Sequence, residues 1–401
     1  MSDQSVEVGK TGHAGEVFGA FLKLGLTSFG GPIAHLGYFR DEFVTRRGWF
    51  DDKAYGDLVA LCQFLPGPAS SQVGFAIGLM RAGPLGAAAA WIGFTLPSAL
   101  LMVAVALGAA ALDSDLAQGI LHGLKLVAVA VVAQAVLGMA KSLTPDRARA
   151  AIAVLAVLAM VAFGGVLGQV SAIVLGAALG LALCQEKGNG AVAATQAPVS
   201  RGFGIFALLL FAGLLVVLPL LAGVNPALAL FDAFYRAGAL VFGGGHVVLP
   251  LLEAGTVGRD LLSEDTFLAG YGAAQAMPGP LFTFAAYLGA ASSVPPNGIL
   301  GAAIALVAIF LPGLLIVLAA LPFWHALRGN LFAQAATRGA NAAVVGVLAL
   351  ALYDPVFTSA VLSPLDFALA LAGFVALVSW KLPPLVVVAA LAAVGGAIGV
   401  L

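Results

Sequence analysis

The chain is a series of long apolar runs separated by short polar turns. A run of about 20 apolar residues is the length of one membrane-spanning helix. The runs predict helices near 84–111, 116–140, 147–163, 165–184 and 203–222, and again near 297–320, 329–352, 361–379 and 383–401. They are too long and too uniform for the strands of a membrane barrel. The pattern therefore predicts an all-α polytopic membrane protein.

Two kinds of interruption break the apolar pattern, and each occurs twice. QFLPGP at 63–68 matches QAMPGP at 275–280, and FGG at 29–31 matches FGG at 242–244. The order and the offset are nearly the same in both halves, which indicates an internal duplication. We predict a cytoplasmic tail at 1–14, a first repeat at 15–184, a cytoplasmic linker at 185–202, and a second repeat at 203–401 with a leading extra helix.

The helix count predicts that the two repeats enter the membrane in opposite directions. An odd number of crossings separates the two FGG segments, whether the interrupted segments span the membrane or return. The loop with Arg40, Arg46, Arg47 and Lys53 lies on the cytoplasmic side only if the segments return as hairpins. We therefore predict broken or re-entrant helices at the FGG and PGP motifs, a cytoplasmic N-terminus, and roughly 9 to 13 crossings.

Composition narrows the class of function. The chain is 61% hydrophobic and 9% charged, and its net charge of −1 gives no reason to expect nucleic acid as a partner. Cys62 and Cys184 form no CxxC pair. The sequence has no P-loop, zinc-protease, nucleophile-elbow or dinucleotide motif. We expect no metal, no cofactor and no enzyme activity, and an intramembrane enzyme remains the alternative from another class.

The interruptions predict an anion site. Proline ends one half-helix and suits the start of the next, whose unpaired N–H groups and positive dipole end attract oxyanions. Serine and glutamine side chains add hydrogen-bond donors, and bare glycines allow close approach. The candidate binding residues at the breaks are Gly30, Gly31, Gln63, Pro66, Gly67, Ser70, Ser71 and Gln72, and in the second repeat Gly243, Gly244, His246, Gln275, Gly279 and Thr283.

Charged residues inside the apolar segments are few and mostly basic, which favours an anion over a cation. We expect Lys125 and Arg338, both in the middle of predicted helices, to contribute charge to the binding site. The candidates for a charge or gating role are Lys23, His35, Asp57, His122, Arg236 and Asn341. Lys23 and Arg236 could instead extend to the membrane interface. The GxxxG pairs at 164/168, 176/180 and 395/399 predict close helix packing, or a homodimer face.

The motifs resemble those of the chromate ion transporter family in its long, two-domain bacterial form. The similarity rests on FGGP at 29–32, GDL at 56–58, CQFLPGPASSQ at 62–72, FGGGH at 242–246 and AMPGP at 276–280. It implies a multi-pass protein of the bacterial inner membrane that exports chromate, with sulfate as a close analogue. Chromate, its analogue sulfate and the lipid bilayer are then the expected partners. The residues themselves predict a small oxyanion and alternating access, and a sulfate importer or an anion channel stays open.

Overall fold

The computed structural model describes residues 12–110, 114–185, 199–242, 244–324 and 330–400, and this part of the chain folds into helices with no strand. The helices of the first half are α1 (Ala14–Thr27), α2 (Gly31–Arg40), α3 (Asp52–Phe64), α4 (Ala69–Ala110), α5 (Asp115–Leu143), α6 (Arg147–Phe163) and α7 (Gly165–Leu183). Those of the second half are α8 (Arg201–Leu221), α9 (Pro226–Ala239), α10 (Val248–Thr256), α11 (Glu264–Ala274), α12 (Phe284–Ala291), α13 (Gly298–Ala320), α14 (Leu331–Ala351), α15 (Pro364–Val378) and α16 (Pro384–Val400).

Five helical segments are long and apolar enough to cross a membrane. They cover 69–108, 115–143, 201–221, 298–323 and 331–360. Shorter apolar helices accompany them at 167–183, 364–378 and 384–400. The chain is an all-α polytopic membrane protein, as the apolar pattern predicts.

Both interrupted segments of the first repeat are hairpins that return to the end of the molecule where α1 begins. After α1 and the FGG break, α2 leads to Arg47, whose guanidinium lies 3.7 Å from the Glu16 carboxylate in the first turn of α1. After α3 and the PGP break, the first part of α4 ends at Arg81, which lies 3.3 Å from Glu16. Here α4 reverses at Ala82 and Gly83, whose backbone angles are not helical. The prediction of re-entrant segments is confirmed.

The second repeat is built in the same way. Beside α9, α10 returns so that Gly255 packs on Ala233. Beside α11, α12 returns so that the Tyr287 hydroxyl donates to the Thr266 carbonyl at 3.1 Å. We call the end of the molecule that carries Arg40, Arg46, Arg47, Lys53 and Arg81 the basic face. The opposite end, which carries Asp260, Glu264, Asp265 and Asp366, is the acidic face.

Glycine contacts between the halves fix their relative orientation. Helices α5 and α16 are antiparallel, because Gly119 meets Gly395 while Gly123 meets Leu391. Helices α7 and α14 are also antiparallel, with Gly180 against Ala335. The turns from α5 to α6 and from α6 to α7 are short, so α7 runs in the direction of α5. Since α14 opposes α7, it also opposes its counterpart α5, and the repeats are inverted.

The same contacts occupy the GxxxG faces. Gly176 and Gly180 pack on Gly339 of α14, and Gly395 and Gly399 pack on Gly119 of α5. Gly168 packs on the backbone of Met160 at the turn between α6 and α7. Small residues at these positions allow close packing within one chain. The 176/180 and 395/399 faces are therefore not free to pair with a second copy, whereas Gly164 is exposed.

Candidate functional site

The interruptions of the two repeats meet at the centre of the molecule and hydrogen-bond to each other. The Gly67 N–H donates to the Val241 carbonyl at 2.7 Å, and the Gly279 N–H donates to the Ser28 carbonyl at 2.8 Å. Gly67 and Gly279 hold equivalent places in the two PGP motifs, and Ser28 and Val241 precede the two FGG motifs. Each PGP break is thus bonded to the FGG break of the other repeat.

A cavity of about 370 Å³ lies beside these crossed bonds, and we call it the central cavity. Its glycine and polar lining residues are Gly30, Gly31, Gln134, His246, Gln275, Gly279 and Lys381. Val131, Ala274, Met277, Leu281, Leu377, Leu382, Pro383 and Pro384 complete the wall. The structure therefore brings five predicted residues of both repeats together, namely Gly30, Gly31, His246, Gln275 and Gly279.

Lys381 is a lining residue that the sequence did not point out. It lies in the turn between α15 and α16 and is the one lysine or arginine in the lining, where no described aspartate or glutamate appears. A lone lysine before LPP, between two apolar helices, was the available signal. Gln134 of α5 was missed in the same way.

The central cavity suits a small anion. One ammonium group and the amide groups of Gln134 and Gln275 can donate hydrogen bonds to oxygen ligands. α2 begins at Gly31, so the positive end of its dipole points toward the same space. His246 is oriented by a hydrogen bond between its Nδ1 atom and the Tyr271 hydroxyl at 2.7 Å.

Three predicted donors lie in the wall behind the PGP break and do not line the central cavity. Ser70, Ser71 and Gln72 are each at most 3% exposed. The Gln72 amide donates to the Pro66 carbonyl at 2.8 Å and to the Gly313 carbonyl at 3.0 Å. It therefore fixes the break against α13. Ser70 contacts His35 at 3.4 Å, and the Ser71 hydroxyl has no partner among the described residues.

The remaining predicted residues at the breaks are also placed away from the cavity, or cannot be placed. Thr283 uses its hydroxyl to donate to the Pro280 carbonyl at 2.9 Å. Gln63 is exposed on α3. The Pro66 carbonyl accepts from Gln72, and Gly244 lies two residues before the cavity residue His246. Gly243 lies outside the described residues.

The two cations expected to supply charge are paired elsewhere. Lys125 lies 2.8 Å from Asp265 in a second cavity of about 690 Å³, which we call the acidic-side cavity. Arg338 donates to the Cys184 carbonyl at 3.1 Å and to the Gln334 side chain at 3.0 Å. Neither lines the central cavity.

The charge and gating candidates are mostly engaged in local pairs. Ion pairs join Lys23 to Glu42 and Arg236 to Asp232, and the Nε2 atom of His122 lies 2.7 Å from the Asp366 carboxylate. Asp57 lines a small pocket beside Trp324, and His35 packs edge-on against Phe94. The Oδ1 atom of Asn341 is buried, and no described residue donates to it.

The two cavities lie on opposite sides of one helix contact. Val131 and Gln134 of α5 line the central cavity, whereas His122 and Lys125 of the same helix line the acidic-side cavity. Next to Lys125, α5 meets α11 so closely that a Cβ at Gly272 would overlap the Leu124 carbonyl. Along α11, Gly272 lies between Thr266 of the acidic-side cavity and Ala274 of the central cavity. This contact separates the residues of the two cavities along α11.

A structural role for Gln72 predicts loss of stability rather than loss of affinity. Gln72→Leu leaves two buried carbonyl groups without their donor, and each unmet group costs about 1–3 kcal/mol. We expect a lower melting temperature in detergent and an unchanged KM for the folded fraction. Ser71→Ala is the matched control, since its hydroxyl bonds no described residue and its loss should change stability by less than about 1 kcal/mol. An altered KM at normal stability for Gln72→Leu would contradict this assignment.

Comparison with known proteins agrees with the motif resemblance. The family model described as "Chromate transporter" matches residues 15–182 and 228–397. A chromate transport protein of Pseudomonas aeruginosa is 29% identical over 94% of this chain and 90% of its own length. A probable chromate transport protein of Synechococcus elongatus is 30% identical over 93% of each chain. A chromate transport protein of Cupriavidus metallidurans is 26% identical over 82% of this chain and 79% of its own length. No solved structure matches the chain.

Proposed function

The chain belongs to the chromate transporter family, and from that premise we propose that it exports chromate from the cytoplasm by alternating access at the central cavity. The observation that carries the proposal is the cavity itself. It lies where the breaks of both inverted repeats meet, it holds one lysine, and no described carboxylate lines it. Binding sites at the interface of inverted repeats, formed by broken helices, are typical of secondary transporters.

The lining explains selection for a tetrahedral dianion. Chromate carries two negative charges and has oxygen atoms on all sides, so hydrogen-bond donors on different walls of the cavity can bind it at the same time. Lys381 offers a point charge with three N–H donors, and Gln134 and Gln275 add neutral donors. Sulfate has the same charge and shape, and we propose that it binds the same site.

The charge distribution sets the orientation. Basic residues concentrate in the loops of the basic face, whereas Arg259 in the second-repeat loop lies 3.5 Å from Asp232. The positive-inside rule then puts the basic face, and with it the N-terminus, in the cytoplasm of the bacterial inner membrane. The turn from Lys381 to Pro383 forms one wall of the central cavity and is exposed, and we propose that the anion enters there from the basic face. The structure then corresponds to a cytoplasm-facing state.

The membrane potential favours export of a dianion. With the cytoplasm negative, moving two negative charges outward releases about 4.6 kcal/mol per 100 mV. Export therefore needs neither ATP nor a covalent step on this chain.

Reconstitution tests the proposal. The purified protein is placed in liposomes with its basic face on the outside. These liposomes should take up labelled chromate when the lumen is positive, and sulfate should compete with the uptake. Reversing the potential should slow the uptake. Uptake that is independent of the potential and insensitive to sulfate, or chromium found reduced after transport, would contradict it.

A further inference from the structure

The two repeats differ in how their PGP hairpins pack. α11 of the second repeat lies along α5, with Gly272 against Leu124. α3 is the counterpart of α11, and α14 is the counterpart of α5. Among the described helices α3 packs closely on α2 and α4 and not on α14. One hairpin is therefore docked on its scaffold helix, and the other is not.

The undocked helix presents the surface that its counterpart buries. Asp265 and Gly272 lie on the side of α11 that faces α5. The matched PGP motifs align α3 with α11 without a gap, so that Lys53 and Ala60 occupy these places, followed by Gln63. All three residues of α3 are exposed. The same side of the helix is therefore buried in α11 and exposed in α3. α3 could bury this side by packing on α14 as α11 packs on α5.

The ion pair between α5 and α11 also has an equivalent pair of residues on α14 and α3, which do not contact each other in this structure. Lys125 of α5 binds Asp265 of α11 at 2.8 Å. The same alignment replaces Asp265 by Lys53, and matching Gln118 with Gln334 along α5 and α14 replaces Lys125 by Asn341. The Oδ1 atom of Asn341 is buried and has no donor among the described residues. A lysine ammonium is a suitable donor for an amide oxygen.

On the premise of the proposed function, we infer a second state in which the repeats exchange their packing. In that state α3 docks on α14 with Lys53 donating to Asn341, and α11 leaves α5. The central cavity then closes toward the basic face and opens toward the acidic face. Lys53, Asn341, Lys125 and Asp265 are positioning residues, because none of them lines the central cavity.

The exchange also changes the charge along the exit route. While α11 is docked, the Asp265 carboxylate neutralises Lys125. Once α11 leaves, Lys125 faces the acidic-side cavity without its partner and can attract the departing anion. Opening of the route and exposure of a cation are therefore one event.

Cross-linking tests the inference. In full-length protein in liposomes, with Cys62 and Cys184 replaced by alanine, Lys53→Cys/Asn341→Cys should react with a short bis-methanethiosulfonate. Adding Asp265→Ala removes the ion pair of the present state and should raise the cross-linked fraction several-fold. Asp52→Cys/Asn341→Cys is the matched control, since Asp52 is the exposed neighbour that pairs with Arg40. Yields for Lys53→Cys/Asn341→Cys that stay at the control level, with and without Asp265→Ala, would overturn the inference.

A charge substitution gives an independent measurement. Asn341→Asp should bind Lys53 more strongly than asparagine does, and Met277→Cys in the central cavity should then be labelled from the acidic face about tenfold faster. Lys53→Ala should cancel the increase, and an increase that survives Lys53→Ala would count against the inference. Neither readout needs chromate. Cross-linking without chromate flux therefore refutes only the proposed function, and flux without cross-linking refutes only the second state.

Discussion

Replacing Lys381 by alanine is expected to abolish most chromate transport while leaving the protein folded. Lys381 supplies the one lysine or arginine charge in the lining of the central cavity, and it makes no ion pair in the described part of the chain. A hydrogen bond to a charged group contributes about 1.5–3 kcal/mol, which corresponds to a loss of roughly 10- to 100-fold in kcat/KM. The measurement is initial uptake of labelled chromate by proteoliposomes at matched protein density.

Two control variants distinguish the effect of losing a charge inside the cavity from the effect of losing a charge elsewhere on the protein. Lys381→Arg keeps the positive charge and should retain part of the activity, although the planar guanidinium does not reproduce the geometry of an ammonium. Lys141→Ala removes an exposed cation at the end of α5 and should leave uptake unchanged. Full activity of Lys381→Ala, or equal losses in Lys381→Ala and Lys141→Ala, would remove Lys381 from the binding site.

Gly279→Ala is expected to have an effect of similar size through a different cause. Gly279 has a φ of +84°, and a Cβ there would lie 3.0 Å from both the Phe94 carbonyl and the Ser98 hydroxyl. The left-handed conformation alone costs a residue with a side chain about 1–2 kcal/mol. Backbone movement to relieve the contact would also break the bond from Gly279 N–H to Ser28 and distort the cavity wall.

We expect Gly279→Ala to lower both the yield of folded protein and the uptake by what does fold. Size-exclusion profile, melting temperature and chromate uptake should be measured together. Gly213→Ala is the matched control, because Gly213 lies inside α8 with no atom within 4 Å of the position of its Cβ. Normal stability and transport for Gly279→Ala would show that the crossed bonds between the breaks are not needed.

The repeated architecture could be predicted from the sequence because its signals are local. A proline or glycine interruption breaks an apolar run wherever the helix goes, and two interruptions in matched order identify a repeat. The excess of arginine in one hairpin loop over its counterpart then separates hairpins from full crossings. These signals do not depend on which helices are neighbours.

The composition of the site could be predicted only in part, because neighbours across the repeats decide it. Gly30 and Gln275 come together from different repeats, as predicted for breaks that share one pocket. Gln72 was expected to face the anion, but the Gly313 carbonyl of α13, far away in sequence, takes its amide. Lys125 was expected in the site, but Asp265 of α11 holds it in the acidic-side cavity. The spacing of residues within one helix predicts how far along the helix a side chain lies, but it does not predict which side chain of another helix it contacts.

Lys381 lines the central cavity although no motif points to it. The turn before the predicted helix at 383–401 carries none of the motifs. In the structure this turn reaches the middle of the molecule, because α16 packs along the first half of α5 from Leu391 to Gly399. The lysine therefore lines the same cavity as Val131 and Gln134 of α5.

The position of bound chromate tests the central claim most directly. Crystals of the protein soaked in chromate should give an anomalous difference peak at the chromium absorption edge. The account predicts one peak in the central cavity, within hydrogen-bonding distance of the Lys381 ammonium and next to Gly31 and Gln275. A peak beside Lys125 in the acidic-side cavity, with none in the central cavity of a transport-active preparation, would contradict it.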